Sequence, residues 1–303
     1  MYNKKTSDLL QDVPLSRTSG FTTVSSNVGE IVNKGIEADL TFNVIQSNNF
    51  NWNVSTNYAF NDNEVTKLAK DPAGNDINIA TGTKITKVGE AVGTWNMRKW
   101  AGVDSANGNP LWYVNGKDGA TTSNYNEAQI AIQGKSLPTY TGGVSTHLDF
   151  KGVFFDASVY FAGGNKVFED WASYTQSSGT RTTVNYNGVE ALLDRWQNPG
   201  DITDVPKMDL TSTGNNSAAT STRFLYDGDY IRIKDLTLGY SLNKEVLERI
   251  SLDGLTLSVR GTNLFTFVKD SRLKYDPEVR ADGFTRLSTP PVKSVTFAMN
   301  FKF

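Results

Sequence analysis

The C-terminal stretch Val295-Thr296-Phe297-Ala298-Met299-Asn300-Phe301-Lys302-Phe303 decides the fold class of this chain. Its odd-numbered positions are all large and apolar, whereas its even-numbered positions are small or polar. Successive side chains of a β-strand point to opposite faces, so this period of two predicts a strand with one apolar face and one polar face. Nine residues are also enough to cross a membrane as a tilted strand.

The same alternation recurs upstream, at residues 36–44, 52–60, 144–150, 153–161 and 255–259. Together with the strand-like N-terminal residues and the strand predicted between the connections 164–227 and 243–254, these segments give eight predicted strands. A further strand pair at residues 95–101 and 111–114 would raise the number to ten. Helical periodicity is weak and is limited to about two turns near residues 189–196 and 244–250. The sequence therefore predicts an all-β fold.

The segments between the predicted strands alternate in length. The short connections are residues 45–49, 151–152 and 243–254, and the long ones are residues 11–28, 61–140, 164–227 and 268–292. Short turns at one end and long loops at the other are typical of an antiparallel transmembrane β-barrel. A soluble β-sandwich or lectin-like domain with the same alternation is the alternative.

Composition excludes several classes of protein. The chain has 303 residues, a formal net charge of -2 and no basic stripe, so binding to nucleic acid is not expected. The absence of cysteine and the presence of one histidine, His147, remove most thiolate, histidine-metal and triad chemistry. A mean hydropathy of -0.40, with no long apolar run, excludes transmembrane helices but not transmembrane strands.

A search for catalytic or cofactor motifs gives no candidate. His147 lies near Asp149 on the polar side of a strand, but no G-x-S-x-G nucleophile elbow accompanies it. The glycine pairs Gly89 with Gly93 and Gly163 with Gly164 lack the spacing of a phosphate-binding loop. The Asp/Asn/Gly-rich segments 71–76 and 104–109 do not have calcium-loop spacing and are interpreted as tight turns. We therefore predict no enzyme activity, no cofactor and no catalytic or metal-binding residue.

Tryptophans of the long connections are the candidate substrate-binding residues. An exposed indole can stack on a sugar ring, whereas the alternative is that these side chains pack the loops together or lie at a membrane interface. The five candidates are Trp95, Trp100, Trp112, Trp171 and Trp196.

Short motifs follow one another along nearly the whole chain. They comprise residues 27–37, 49–52, 61–68, 138–143, 150–152, 161–164, 224–240, 263–266 and 276–278, and the loop Arg195-Trp196-Gln197-Asn198-Pro199-Gly200-Asp201. In this order they resemble the C-terminal portion of SusC/RagA-type TonB-linked (TonB-dependent) outer-membrane proteins. Thr296, Ala298, Phe301 and Phe303 resemble the C-terminal barrel-assembly signal of outer-membrane proteins, with Ala298 where Gly is usual.

The resemblance implies a larger barrel of ~22 strands, of which residues 1–303 supply the C-terminal part. A plug domain and a signal peptide would precede this part, so the sequence is expected to be a truncated product or a fragment. The implied function is TonB-dependent import of glycans or peptides across the outer membrane of a Gram-negative cell. The implied partners are a SusD-like surface lipoprotein, the TonB complex acting through the missing plug, the barrel-assembly machinery and the lipid bilayer. The alternative function is a soluble, secreted β-domain that binds carbohydrate through its tryptophan-bearing loops.

Overall fold

The structure is a computed structural model that describes residues 1–15, 17–179, 186–211, 215–249, 251–286 and 288–303. Strands make up 52% of the chain and helices 7%, and the sheets are antiparallel. The predicted all-β fold class is confirmed.

Seventeen strands lie in the described part of the chain. They are β1 (Tyr2–Pro14), β2 (Thr23–Gln46), β3 (Phe50–Lys67), β4 (Ile79–Thr81), β5 (Lys84–Thr86), β6 (Thr94–Arg98), β7 (Trp100–Val103), β8 (Pro110–Tyr113), β9 (Thr121–Thr122), β10 (Ile130–Lys135), β11 (Tyr140–Phe150), β12 (Val153–Gly163), β13 (Lys166–Phe168), β14 (Leu225–Asp227), β15 (Tyr230–Ser241), β16 (Gly254–Val268) and β17 (Ser294–Lys302).

The helices are short. They are α1 (Ala172–Thr175) and α2 (Lys244–Arg249), with 3₁₀ turns at Arg17–Ser19, Glu190–Asp194 and Thr222–Phe224. Both weak helical predictions thus correspond to a helical turn, although Ile250 lies outside the described residues. None of the helices in the described ranges is long and apolar enough to span a membrane.

One large antiparallel sheet organises the molecule. Among the described residues it has eight strands in the order β1-β2-β3-β11-β12-β15-β16-β17, so every strand pairs with a neighbour that the up-and-down path of the chain brings beside it. The register places apolar residues opposite apolar residues, for example Phe297 opposite Val259 and Met299 opposite Leu257. Because register and alternation agree, one face of the sheet is apolar and the other is polar.

The apolar face of this sheet is uncovered. Phe297 is 82% exposed, Phe267 59% and Leu238 53%, on three different strands. The opposite face carries polar contacts across strands, such as the 2.6 Å pair between His147 Nδ1 and Asp156 Oδ1. A sheet in water buries its apolar face and exposes its polar one, so this inverted arrangement is that of a barrel wall in lipid.

The connections sort to the two ends of the sheet as predicted, but the prediction of a long connection over residues 11–28 is wrong, because β1 extends to Pro14 and β2 begins at Thr23. At one end, β2 and β3 are joined by residues 47–49, and β11 and β12 by Lys151 and Gly152. The backbone φ angles of Lys151 and Gly152 are 50° and 87°, the combination that a two-residue hairpin turn requires. The long connections that follow β3, β12 and β16 all emerge at the opposite end.

The long connections fold into a layer of small sheets, which we call the loop layer. Its sheets in the described chain are β10-β6-β5-β4, β7-β8-β9 and β13-β14. The predicted strand pair at residues 95–101 and 111–114 does form strands, but they belong to these small sheets. Eight is therefore the strand number of the large sheet over the described residues, the lower end of the predicted range.

A hydrophobic core of its own stabilises the loop layer. Trp95, Met97, Phe168 and Phe224 are each at most 5% exposed and pack together, with Phe284 against them. The rings of Trp95 and Phe284 meet edge to face with their centroids 5.1 Å apart. This core draws on three separate long connections, and it fixes the position of the segments that surround the cavities described next.

Candidate functional site

Two adjoining cavities open in the loop layer and share Arg286. The aromatic cavity has a volume of about 670 Å³ and is lined by Phe168, Asp170, Trp171, Tyr174, Phe224 and Arg286, among others. The basic cavity has a volume of about 740 Å³ and its charged and aromatic lining is Lys274, Tyr275, Asp276, Glu278, Arg280, Arg286 and Lys293. Each is large enough for one or two units of an oligomeric ligand.

Aromatic side chains cluster along the aromatic cavity. Trp171 lies shortly after β13 and directly before α1, and the first helical turn brings Tyr174 beside it with ring centroids 5.0 Å apart. Tyr186 comes from further along the same connection, with its centroid 6.2 Å from that of Trp171 and 5.1 Å from that of Tyr174. Rings in such contact hold one another in place, so the aromatic surface formed by Trp171, Tyr174 and Tyr186 is largely preformed.

Asp170 links the aromatic cavity to the segment that forms the basic cavity. Its Oδ1 accepts a hydrogen bond from the backbone N–H of Arg286 at 3.0 Å and one from the Thr285 hydroxyl at 3.3 Å. The Arg286 side chain turns to Asp282, with 3.1 Å between Nη2 and Oδ2. These bonds fix the residue that both cavities share.

A buried carboxyl group, that of Glu169, lies two residues before Trp171 in the sequence. Glu169 is 1% exposed and accepts a 3.3 Å hydrogen bond from Gln176 Nε2. Burial raises the pKa of the Glu169 carboxyl, and hydrogen bonds from Tyr226 and Gln176 only partly offset that rise.

A lysine is partly buried against the core of the loop layer. Burial lowers the pKa of the Lys84 ammonium to about 8, and the Lys84 Nζ lies 3.7 Å from the Trp95 ring centroid.

Arg232 anchors the wall of the basic cavity to the large sheet. It lies on the polar face of β15 and is 1% exposed. Its Nη2 lies 2.6 Å from each carboxylate oxygen of Asp276, its Nη1 lies 2.6 Å from Glu278 Oε2, and its Nε donates to the Thr266 hydroxyl at 3.0 Å. Lys234 Nζ adds a 2.8 Å contact to Glu278. Charge-assisted bonds of this kind are short and directional, so they hold the last connection against the sheet.

Two of the five predicted tryptophans cannot present a ring to a ligand. Trp95 and Trp112 are both 0% exposed. The Trp95 indole donates to the Lys166 carbonyl at 3.0 Å, and Trp112 packs edge to face against Trp100 and Tyr125. For these two residues the substrate-stacking prediction is wrong, because both faces of each ring pack inside the loop layer.

The other three tryptophans keep partial exposure and differ in their surroundings. Trp171 lines the aromatic cavity. Trp100 lies beside Trp112, and the Arg223 guanidinium sits 5.2 Å from the Trp100 ring centroid. Trp196 packs on the turn at residues 104–109, where its indole N–H donates to the Ser105 carbonyl at 2.9 Å. Of the five, only Trp171 lies in one of the two cavities.

Gly108 makes the docking of Trp196 possible. Its φ angle is 73°, and a Cβ at this position would collide with the Trp196 ring. We expect Gly108→Ala to destabilise the docking by about 1–3 kcal/mol, through backbone strain and the collision. The measurement is the rate of tryptic cleavage after Arg195, which should rise.

The matched control is Gly119→Ala. Gly119 has a φ angle of 79°, but no atom lies within 4 Å of the added Cβ. This variant carries the backbone strain without the collision and should leave cleavage after Arg195 unchanged. Equal acceleration in both variants would contradict the role assigned to the Trp196 contact.

Three of the predicted assembly residues lie on β17, an edge strand of the large sheet, and Phe303 follows it directly. Phe301 and Phe303 are 52% and 87% exposed, and their rings stack with centroids 6.3 Å apart. Thr296 and Ala298 are exposed on the opposite parity and pair with Arg260 and Ser258 of β16. All four residues are thus accessible, and their role in assembly stays a prediction.

Family motifs that are distant in the sequence meet in the structure. Arg232, from the motif 224–240, binds Asp276 and Glu278 of the motif 276–278. The motif 195–201 docks on the turn at residues 104–109 through Trp196 and through the 2.8 Å bond from the Gly200 N–H to the Ser105 carbonyl. The motifs therefore contain residues whose contacts attach the long connections to one another and to the sheet.

A sheet with an apolar outer face, a polar inner face and long loops at one end defines a segment of an outer-membrane β-barrel. Comparison with known proteins gives this architecture a family context. The chain is 28% identical over its whole length to TonB-dependent receptor P3 of Formosa agariphila, and 24% identical over 92% of its length to TonB-dependent receptor SusC of Bacteroides thetaiotaomicron. It matches the solved structure of the RagAB peptide importer in the open-open state over 99% of its length, with a TM-score of 0.81 and 27% identity.

The resemblance to SusC/RagA-type TonB-dependent proteins is thereby confirmed along the whole chain. No protein-family model matches the sequence. The chain covers 32% of the P3 receptor, 27% of SusC and 32% of the RagAB chain, so it spans about a third of the length of its relatives. The prediction that it is not an enzyme is confirmed, since the relatives are named as receptors and transporters. The same similarity supports an outer-membrane location.

Sequence reasoning missed most residues of the two cavities. Asp170, Tyr174, Lys274, Tyr275 and Arg280 come from different connections and share no motif or spacing. A cluster of cations could have been noticed in the segment 269–293, which contains six Lys and Arg residues. Only the fold reveals which of these cations already have carboxylate partners.

Proposed function

We propose that residues 1–303 form the C-terminal part of the barrel of a TonB-dependent importer in the Gram-negative outer membrane. In this role the chain supplies eight strands to the barrel wall, and its loop layer receives glycans or peptides on the outside. The observation that carries the proposal is the large sheet, whose uncovered face is apolar and whose long connections all leave from one end. The similarity to SusC and to the RagAB peptide importer supports import as the activity.

The proposed partners follow from the same architecture. A SusD-like surface lipoprotein would cover the loop layer, and TonB would act through a plug domain supplied by the rest of the barrel protein. The barrel-assembly machinery would bind the edge strand β17 through Thr296, Ala298, Phe301 and Phe303, whose side chains are exposed. Lipid would cover the apolar face. Of the predicted tryptophans, Trp171 is the one we propose as a ligand contact, with Trp100 and Trp196 supporting the loops around it.

Membrane fractionation tests this proposal against the soluble alternative. We expect the protein to sediment with the outer membrane, to resist extraction by alkaline carbonate and to need detergent for solubility, because an uncovered apolar face of this size is incompatible with water. Recovery of a folded, β-rich protein in the aqueous fraction without detergent would instead support a secreted carbohydrate-binding domain.

A further inference from the structure

The basic cavity holds three cations that form no close ion pair among the described residues, although the charge of Arg280 acts on Asp282 from beyond 4.0 Å and lowers the pKa of that carboxyl. Lys274, Arg280 and Lys293 line it, and in the described chain none of them forms an ion pair within 4.0 Å. Lys274 Nζ donates only to the Ser271 carbonyl, at 2.7 Å. All three residues are exposed. Cations grouped at one cavity raise the local concentration of anions.

The two carboxylates that line the basic cavity are already neutralised by cations of β15. Asp276 is bound by Arg232, and Glu278 is bound by both Arg232 and Lys234. Neither carboxylate is therefore available to balance Lys274, Arg280 or Lys293. The side of the cavity that faces solvent consequently carries an excess of positive charge.

Aromatic rings border this charge. Tyr275, between Lys274 and Asp276 in the sequence, is 37% exposed and lines the basic cavity. Trp171 and Tyr174 lie in the aromatic cavity, on the other side of the shared residue Arg286. A ligand that spans both cavities would meet aromatic rings in each of them and the cations of the basic cavity.

We propose that the two cavities together bind an anionic oligosaccharide, with its sugar rings on Trp171 and Tyr275 and its acidic groups on Lys274, Arg280 and Lys293. This proposal rests on the import function proposed above and specifies its substrate class. An acidic peptide carries the same charge, but extended peptides are held mainly by backbone hydrogen bonds. Pro277, Pro290 and Pro291 line the basic cavity and have no N–H to donate to a peptide backbone, which favours a sugar over a peptide there.

The test is equilibrium binding to the full chain purified in detergent, with three probes. Tetragalacturonate presents an acid on every ring, its methyl ester keeps the rings without the charge, and tetraglutamate keeps the charge without the rings. We expect tetragalacturonate to bind at least about tenfold more tightly than either of the other two, with a Kd that rises steeply with salt. Equal affinity for the methyl ester would overturn the role of charge, and tighter binding of tetraglutamate would assign the site to acidic peptides instead.

Variants separate the two parts of the site. The triple variant Lys274→Gln, Arg280→Gln, Lys293→Gln should weaken tetragalacturonate binding about tenfold and leave the methyl ester unaffected, since exposed pairs contribute modestly and add together. Trp171→Ala should weaken both probes. The matched control is Lys244→Gln on α2, an exposed lysine at the opposite end of the sheet, which should bind like the parent. A triple variant with unchanged affinity for tetragalacturonate would refute the proposal.

This experiment is independent of the fractionation test. If the protein sediments with the outer membrane but shows no preference among the probes, the importer proposal stands and the anionic substrate class is wrong. If the protein remains in the aqueous fraction and still binds tetragalacturonate more tightly than the other probes, the importer proposal is wrong and the binding site stands. The two proposals can therefore fail separately.

Discussion

Replacing Arg232 by Met is expected to release the last long connection, residues 269–293, from the large sheet. Arg232 is 1% exposed and binds Asp276 and Glu278 at 2.6 Å. Removing one partner of a buried ion pair costs about 3–5 kcal/mol when the remaining charge stays buried. The Asp276 and Glu278 side chains are 20% and 41% exposed, so water can reach them after release, and we expect a cost near about 3 kcal/mol.

The consequence should be local. The strand pairing of β15 with β12 and β16 does not depend on the guanidinium, whereas the attachment of residues 276–278 does. Hydrogen exchange should therefore accelerate in the segment 269–286 while the strands of the sheet remain protected. The basic cavity should be lost with the same change, because its wall is the released segment.

Arg260→Met is the matched control for this prediction. Arg260 lies on the polar face of the neighbouring strand β16 and also pairs with a carboxylate, Asp235. Its side chain is 61% exposed and, within the described ranges, it forms no ion pair with a residue of the last connection, so its loss should cost less than about 1 kcal/mol. If Arg260→Met released the last connection as fully as Arg232→Met, the anchoring role of Arg232 would be wrong.

Six of the eight large strands were predictable because each of them carries its own alternating pattern. Alternation at residues 36–44 or 295–303 sets both the strand and its two faces, and the lengths of the gaps set the up-and-down path. The tight turn at Lys151 and Gly152 followed in the same way from its length and its glycine. Local signals of this kind can be interpreted without knowledge of any distant residue.

The loop layer was not predictable to the same depth, because distant contacts decide it. Trp95 and Trp171 are both tryptophans in long connections, yet Trp95 is completely buried whereas Trp171 lines a cavity. Nothing in their immediate sequence separates them. The difference arises from Phe168, Phe224 and Phe284, which reach Trp95 from connections that are 70 or more residues away.

The family motifs gave an intermediate level of information. They indicated that residues 230–240 and 276–278 matter, but not that Arg232 binds Asp276 and Glu278 across 44 and 46 residues. An arginine on the polar side of a strand has no preferred partner in a single sequence. Its partner is set by the path of the last connection, which returns over the end of the sheet.

The second large effect is expected on the apolar face, from the replacement of Phe297 by Arg. Phe297 lies near the middle of β17, is 82% exposed and pairs in register with Val259. If lipid covers this face, an arginine there must place its charge near the centre of the bilayer, which costs about 2–4 kcal/mol in outer-membrane barrels. The measurement is the free energy of unfolding in lipid vesicles, titrated with denaturant. Met299→Arg, on the same face two residues further on, should give a cost in the same range.

Asn300→Arg provides the matched control on the same strand. Asn300 lies on the opposite parity, opposite Thr256 on the polar face, and is equally open to its surroundings. A charge on that side would point to the water-filled interior, so the free energy of unfolding should change by less than about 1 kcal/mol. The decisive quantity is the difference in the free energy of unfolding between Phe297→Arg and Asn300→Arg, because general damage to an edge strand would lower stability in both variants. Equal losses at Phe297 and Asn300 would show that lipid does not cover the apolar face, and the barrel assignment would then fail with it.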